Sequence, residues 1–190
     1  MKPKFFLAII LTAVTLCGCQ ATRDSRSSYP TVIARMGESP GFPSQAAGFS
    51  RGDTVAYEPG MDDISVGYNL FTPSAQQAVT FYFYPKTSLL QKQIESEKKM
   101  VERFQEEAVV LSQSQQMMSR DKLTFQAYTV NYRVKGIILN RKQPLFSQLI
   151  LIELPERYVK VRSTCPIEQA DAANGRLREL MGQIDWTKKP

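Results

Sequence analysis

The chain contains no histidine. That removes the side chain that most often serves as a general base near neutral pH and most often ligates metals. It also excludes a serine–histidine–acid relay. Cysteine is scarce: of three, Cys17 and Cys19 lie near the N-terminus and only Cys165 lies further on. Neither a disulfide framework nor a cysteine-rich zinc site can be built from that set. Long apolar runs are lacking too. Residues 5–16 (FFLAIILTAVTL) carry no charge, but a membrane-spanning helix needs about 20 such residues. The 190 residues are otherwise ordinary: 43% hydrophobic, 22% charged and 10% aromatic, enough apolar material for one globular domain.

The N-terminus reads as an address. Lys2 and Lys4 make a short basic region, the apolar run follows, and small residues come next. This is the order of a secretory signal peptide, the alternative being a short uncleaved anchor. Leu16-Cys17-Gly18-Cys19 resembles the bacterial lipobox, with Leu16 three residues before Cys19 and Gly18 directly before it. The resemblance implies cleavage after residue 18 and acylation of Cys19. Gln20, not Asp, follows, and in enteric-type Gram-negative bacteria this implies sorting to the outer membrane, facing the periplasm. Each buried methylene adds about 0.8 kcal/mol, so several acyl chains tether a protein firmly without spanning the bilayer. Loss of Lys2 and Lys4 lowers the formal charge of +6 by two. The remaining balance is compatible with anionic lipid but gives no basic stripe for nucleic acid.

Residues 19–52 are expected to be a lipidated N-terminus and flexible tether, because Ser, Pro and Gly crowd the segment and such stretches act as spacers. Only residues 31–35 suggest a brief strand. A single domain is expected over residues 53–187. Strands are predicted at 54–57, 64–71 and 78–84, the last alternating Val79, Phe81 and Phe83 against Thr80, Tyr82 and Tyr84. The period then changes. Leu90, Ile94, Val101, Phe104, Ala108 and Leu111 trace one stripe of a helix of roughly seven turns. It opens on Ser88 and Gln91 at capping-box spacing and fades across residues 112–119. Strands return at 123–134, with continuation to 139, then at 145–154 and 158–163. A last helix follows Pro166, with Ile167, Ala170, Ala173, Leu177, Leu180, Met181 and Ile184 as its buried face. Asn174-Gly175 is its weak point.

This order predicts an α+β fold: an antiparallel sheet of about five to seven strands between one long and one shorter helix, an α/β/α sandwich. Phe81-Tyr82-Phe83-Tyr84-Pro85 before the long helix, Pro144-Leu145-Phe146-Ser147 leading into an apolar strand, and residues 158–166 (YVKVRSTCP) opening the last helix resemble the PsbP-like fold, including DcrB-type envelope lipoproteins. The resemblance implies an accessory or binding module and no catalytic residue.

Several motifs bear on chemistry. Gly48-Phe49-Ser50-Arg51-Gly52 spells G-x-S-x-G, but a nucleophile elbow needs a strand before it, a helix after it and a histidine elsewhere. Cys165 reads as a small buried residue. Asp62-Asp63 has no second cluster at calcium-loop spacing. Glu95, Glu102 and Glu106 read as a solvated helix face with Lys98, Lys99 and Arg103. The candidate partner-binding patch is Tyr158, Lys160 and Arg162, projecting from one side of a strand, with Arg133 and Lys135 on a neighbour. The alternative is that these cations lie along the last helix and pair with acids such as Glu168. No catalytic residue, metal site or cofactor is expected. The function expected is a non-enzymatic, membrane-anchored binding or accessory module with an envelope protein partner. The alternatives are an assembly factor or stabilising subunit of a larger complex, and a hydrolase, which the missing histidine disfavours.

Overall fold

The structure is a computed structural model that describes residues 41–57 and 62–188. The signal segment, the lipobox with Cys17 and Cys19, and the strand expected at 31–35 lie outside the described residues.

Among the described residues there are eight strands and two α-helices: β1 Gln45–Ala46, β2 Phe49–Ala56, β3 Ile64–Phe71, β4 Gln76–Pro85, α1 Leu90–Phe104, β5 Glu106–Arg120, β6 Leu123–Ile138, β7 Arg141–Glu153, β8 Arg157–Pro166 and α2 Ala170–Gln183. One sheet contains all the strands, in the order β1-β2-β3-β4-β8-β7-β6-β5, and every neighbouring pair is antiparallel. Two four-stranded meanders therefore meet at the β4–β8 seam. The fold is α+β as expected, with more strands than the five to seven predicted.

Period-two alternation sends the two residue sets to opposite faces. Val66, Tyr68, Val79, Phe81, Phe83, Ala127, Ile150, Ile152, Val159 and Val161 form one core with Leu177, Leu180 and Met181 of α2. Val130, Tyr132, Val134, Leu149, Leu151 and Tyr158 form the other with Leu90, Ile94 and Val101 of α1. Both faces of β7 are therefore covered, and its residues 145–152 are all buried.

Three expectations need correction. The long helix ends at Phe104: Gln105 turns extended at φ −105° and ψ 128°, and Glu107 takes a positive φ of 54°. Ala108 and Leu111 belong to β5. Their helical spacing is a coincidence of a segment whose Val109-Val110-Leu111 run also suits a strand. The polar residues after it stay extended because β6 supplies hydrogen-bonding partners along the length of β5. The predicted capping box does not form. Leu89 is the N-cap, without a side-chain bond, and Ser88 Oγ donates to Gln93 Oε1 at 3.0 Å instead.

The third correction concerns the tether. Its last part is built into the sheet. Phe42 and Phe49 are fully buried, and Phe42 meets the Phe83 ring edge-on at 5.4 Å. The Tyr68 hydroxyl donates to the Pro43 carbonyl at 2.9 Å. Ala47 and Gly48, both at positive φ, make the two-residue turn that such hairpins favour. Two aromatic side chains outweigh the Pro/Gly/Ser composition around them, because each buries a large apolar area. The final helix passes through Asn174-Gly175 without a break.

Candidate functional site

The structure takes apart the patch read from β8. Tyr158 is fully buried, and its hydroxyl donates to the Ser88 carbonyl at 2.6 Å, pinning the entry to α1. Burial is the main reason its pKa rises above the ordinary tyrosine value. Lys160 turns under α1. Its Nζ lies 3.0 Å from Glu97 Oε2 and 4.4 Å from the Tyr82 ring centroid. Tyr84 donates to Glu97 Oε1 at 3.0 Å. Burial first, then the Glu97 charge, pushes the Tyr84 hydroxyl far above its usual range. Arg162 donates to Ser147 Oγ at 2.9 Å and faces no carboxylate within ion-pair distance among the described residues. Arg133 pairs in register with Phe146, which packs with Cys165 and Ala173 on the α2 side. It is exposed and lies on the face opposite Lys160. Lys160 thus packs under α1, not along the last helix, and its partner is Glu97, not Glu168.

The other motifs fall equally plainly. Ser50 Oγ accepts from Gln45 Nε2 at 3.0 Å on a hairpin with no helix after it. Cys165 is fully buried, and burial pushes its thiol up to about 11, which keeps it a thiol at neutral pH. No group of three or more Cys, Asp or Glu side chains converges among the described residues. No helix among them is long and apolar enough to cross a membrane.

What remains is β5. Among the described residues it is the last strand of the sheet, so one side bonds to β6 and the other side is an open edge. Nearly all of its 15 residues are exposed. Residues 108–119 (AVVLSQSQQMMS) include no charge and no proline. Long sheet edges are usually guarded by lysine, proline, bulges or shortness, because an unpaired row of N–H and C=O groups invites another strand. The opposite edge, β1, obeys that rule with two residues. β5 has bulges only in its first half, between Glu106 and Val109 and between Val110 and Ser112. From Ser112 to Arg120 it is regular.

Charges sit at the ends of β5 and hold it in place. Lys142 Nζ lies 2.8 Å from Glu106 Oε2, and the hydrogen bond from Lys142 holds the Glu106 carboxyl below its ordinary value. Lys135 Nζ lies 2.7 Å from Glu107 Oε1. At the far end Arg120 donates to the Met181 carbonyl at 2.7 Å, lies 3.8 Å from Asp185 and stacks on the Trp186 ring at 5.9 Å. Asp121 and Lys122, both at positive φ, close the turn to β6. Beside this end Met117, Leu123, Phe125, Leu154 and Pro155 line an open groove of about 520 Å³. The exposed Met117 of the edge strand is part of its wall.

Sequence reasoning missed this edge because the helical stripe ran into it. The signals for a strand were the Val109-Val110-Leu111 run, the Ser/Gln alternation after it and the Asp121-Lys122 turn.

No family model matches the chain, and no curated protein matches it. Among solved structures, it resembles the Pseudomonas aeruginosa protein PA94, described as a protein of unknown function and putative regulator. The TM-score is 0.51 at 10% identity, over 73% of this chain and 92% of that one. A second similar structure is the PsbP protein of the cyanobacterium Synechocystis, CyanoP, with a TM-score of 0.42 at 10% identity, over 80% of this chain and 99% of that one. At such identities the likeness to PA94 is one of fold.

Proposed function

We propose that this protein is a lipid-anchored, non-enzymatic binding module of the bacterial envelope, of the PsbP-like, DcrB-type kind, that meets a protein partner through the free edge of β5. The observation that carries the binding reading is the uncharged, exposed edge strand. Backbone groups along such an edge give affinity by strand addition, while side chains alternating on either side give selectivity. The burial of Tyr158 and the engagement of Lys160 by Glu97 also speak for binding elsewhere than on β8. The lipobox-like Leu16-Cys17-Gly18-Cys19 carries the anchoring. A tether raises the local concentration of anything held near the same membrane, which suits an accessory role, as an assembly factor or a subunit of a larger complex.

Two measurements test this. Cys19→Ala should abolish acyl labelling and release the protein from membranes; continued labelling rejects the anchor. A photo-crosslinking residue at Ser114, in the middle of β5, should trap polypeptide in intact membranes. Crosslinks to lipid alone, or none, reject the edge as the binding surface.

A further inference from the structure

We infer that the strand received by β5 is β5 of a second copy of this chain, paired antiparallel about a two-fold axis at Gln115. This rests on the reading of β5 as a binding edge and names its partner.

The argument comes from symmetry and charge. A two-fold contact places the same surface against itself, so every residue on the axis meets its own kind. A charge there would face a like charge, and β5 has none from residue 108 to residue 119. The register follows from the bulges. With Gln115 opposite Gln115, Gln116 faces Ser114, Met117 faces Gln113 and Met118 faces Ser112. Each bulge adds a residue without adding a partner. Allowing for the one between Val110 and Ser112, Ser119 meets Val110 and Arg120 meets Val109, where the strand ends. The residues matched in this way share a side of the sheet. Val110 pairs with Tyr132 and Ser119 with Thr124, both on the α1 side, while Val109 and Arg120 pair with Arg133 and Leu123, both on the α2 side.

The acidic end of one copy, Glu106 and Glu107, therefore lies toward the end of the other that carries Arg120, Asp121 and Lys122, where cations outnumber the one acid. A parallel arrangement would set Glu106 and Glu107 against their own copies. Glu106, Glu107 and Arg120 already have partners within the chain, so their part is to set direction, while the backbone ladder of Ser112–Arg120 supplies affinity. The product is a continuous sheet of two copies with the open edges joined and the two-residue β1 strands outermost, which removes the exposed edge.

The test uses the full chain purified in detergent and followed by sedimentation equilibrium across a wide concentration range. The wild type should show a monomer–dimer equilibrium. Gln115→Lys and Gln115→Glu, each at an exposed position, should each weaken the dimer by at least about tenfold, since like charges then face each other. An equimolar mixture of the two variants should restore it, because opposite charges meet at the axis. Circular dichroism melts matching the wild type show that both variants fold. A wild type that stays monomeric at every concentration overturns the inference, and so does a dimer indifferent to both substitutions. Gln115→Cys in membranes separates the two levels of the argument. A crosslinked dimer of this chain is the expected result. A crosslink to a different polypeptide overturns self-pairing and leaves the edge as a binding surface, and no crosslink at all sinks both.

Discussion

Lys160 and Glu97 face each other across the gap between β8 and α1, 3.0 Å apart, with the ammonium also held over the ring of Tyr82. Their side chains retain only 20% and 12% of their exposure, so the pair is more a structural clamp than a surface feature. The two partners are not equivalent. Glu97 also accepts from Tyr84 and Gln93, whereas the Lys160 ammonium has the carboxylate and two aromatic rings. Glu97→Gln should therefore destabilise the fold by about 1–3 kcal/mol, less than a fully buried pair because water still reaches the site. Lys160→Met keeps the stem packed on the rings and should cost less. Urea unfolding of both variants checks the order; a larger loss for Lys160→Met contradicts it.

The folded domain takes in residues 42–52, which the composition had assigned to the tether. Phe42 is fully buried against Phe81 and Phe83, so Phe42→Ala should cost about 3–5 kcal/mol. A chain beginning at residue 53 should lose stability relative to one beginning at residue 41, and with it cooperative unfolding. Equal denaturant midpoints for the two chains would show that β1 and the start of β2 add nothing.

Stability should decline at high pH for a stated reason. Burial is the leading cause that pushes the hydroxyls of Tyr68 and Tyr132 up to about 12, against about 10 for a free tyrosine. Between those values the unfolded chain releases protons that the folded chain keeps. The folded state then binds more protons, so unfolding becomes easier as pH rises. The contribution is fully present below pH about 10 and is lost as pH climbs toward about 12. Tyrosinate absorbance should show these hydroxyls ionising only with unfolding, and Tyr132→Phe should flatten part of the decline. Smooth titration of all eight tyrosines near the free value, with the fold intact, would contradict this.

Much of the sheet was legible one strand at a time. Residues 64–71 and the Val79, Phe81 and Phe83 alternation marked β3 and β4, and the doubly apolar 145–154 segment marked a strand buried on both faces. These are short-range patterns, written by the need to place apolar side chains on a pleated surface. The C-terminal helix was legible for the same reason, its buried face recurring at Ala173, Leu177, Leu180 and Met181.

The candidate site was not legible, and the reason is the same at each residue. Tyr158, Lys160 and Arg162 share a strand face, but nothing local says that α1 lies over that face or that Glu97 meets Lys160 there. Arg133 sits one register step away from Tyr132, and a single step decides which side of the sheet it joins. β5 showed the helical period as well as strand-forming residues, and only pairing with β6 chose between them. Phe42 and Phe49 sit amid turn-forming residues and become core only because Phe81, Phe83 and Tyr68 are brought to meet them. The amino-acid order alone determined the α+β class, most strand positions and the absence of histidine chemistry. Tertiary structure decided which strand became the open edge and which cations were used up inside. Both depend on contacts between residues far apart in the chain, and local patterns carry no record of those.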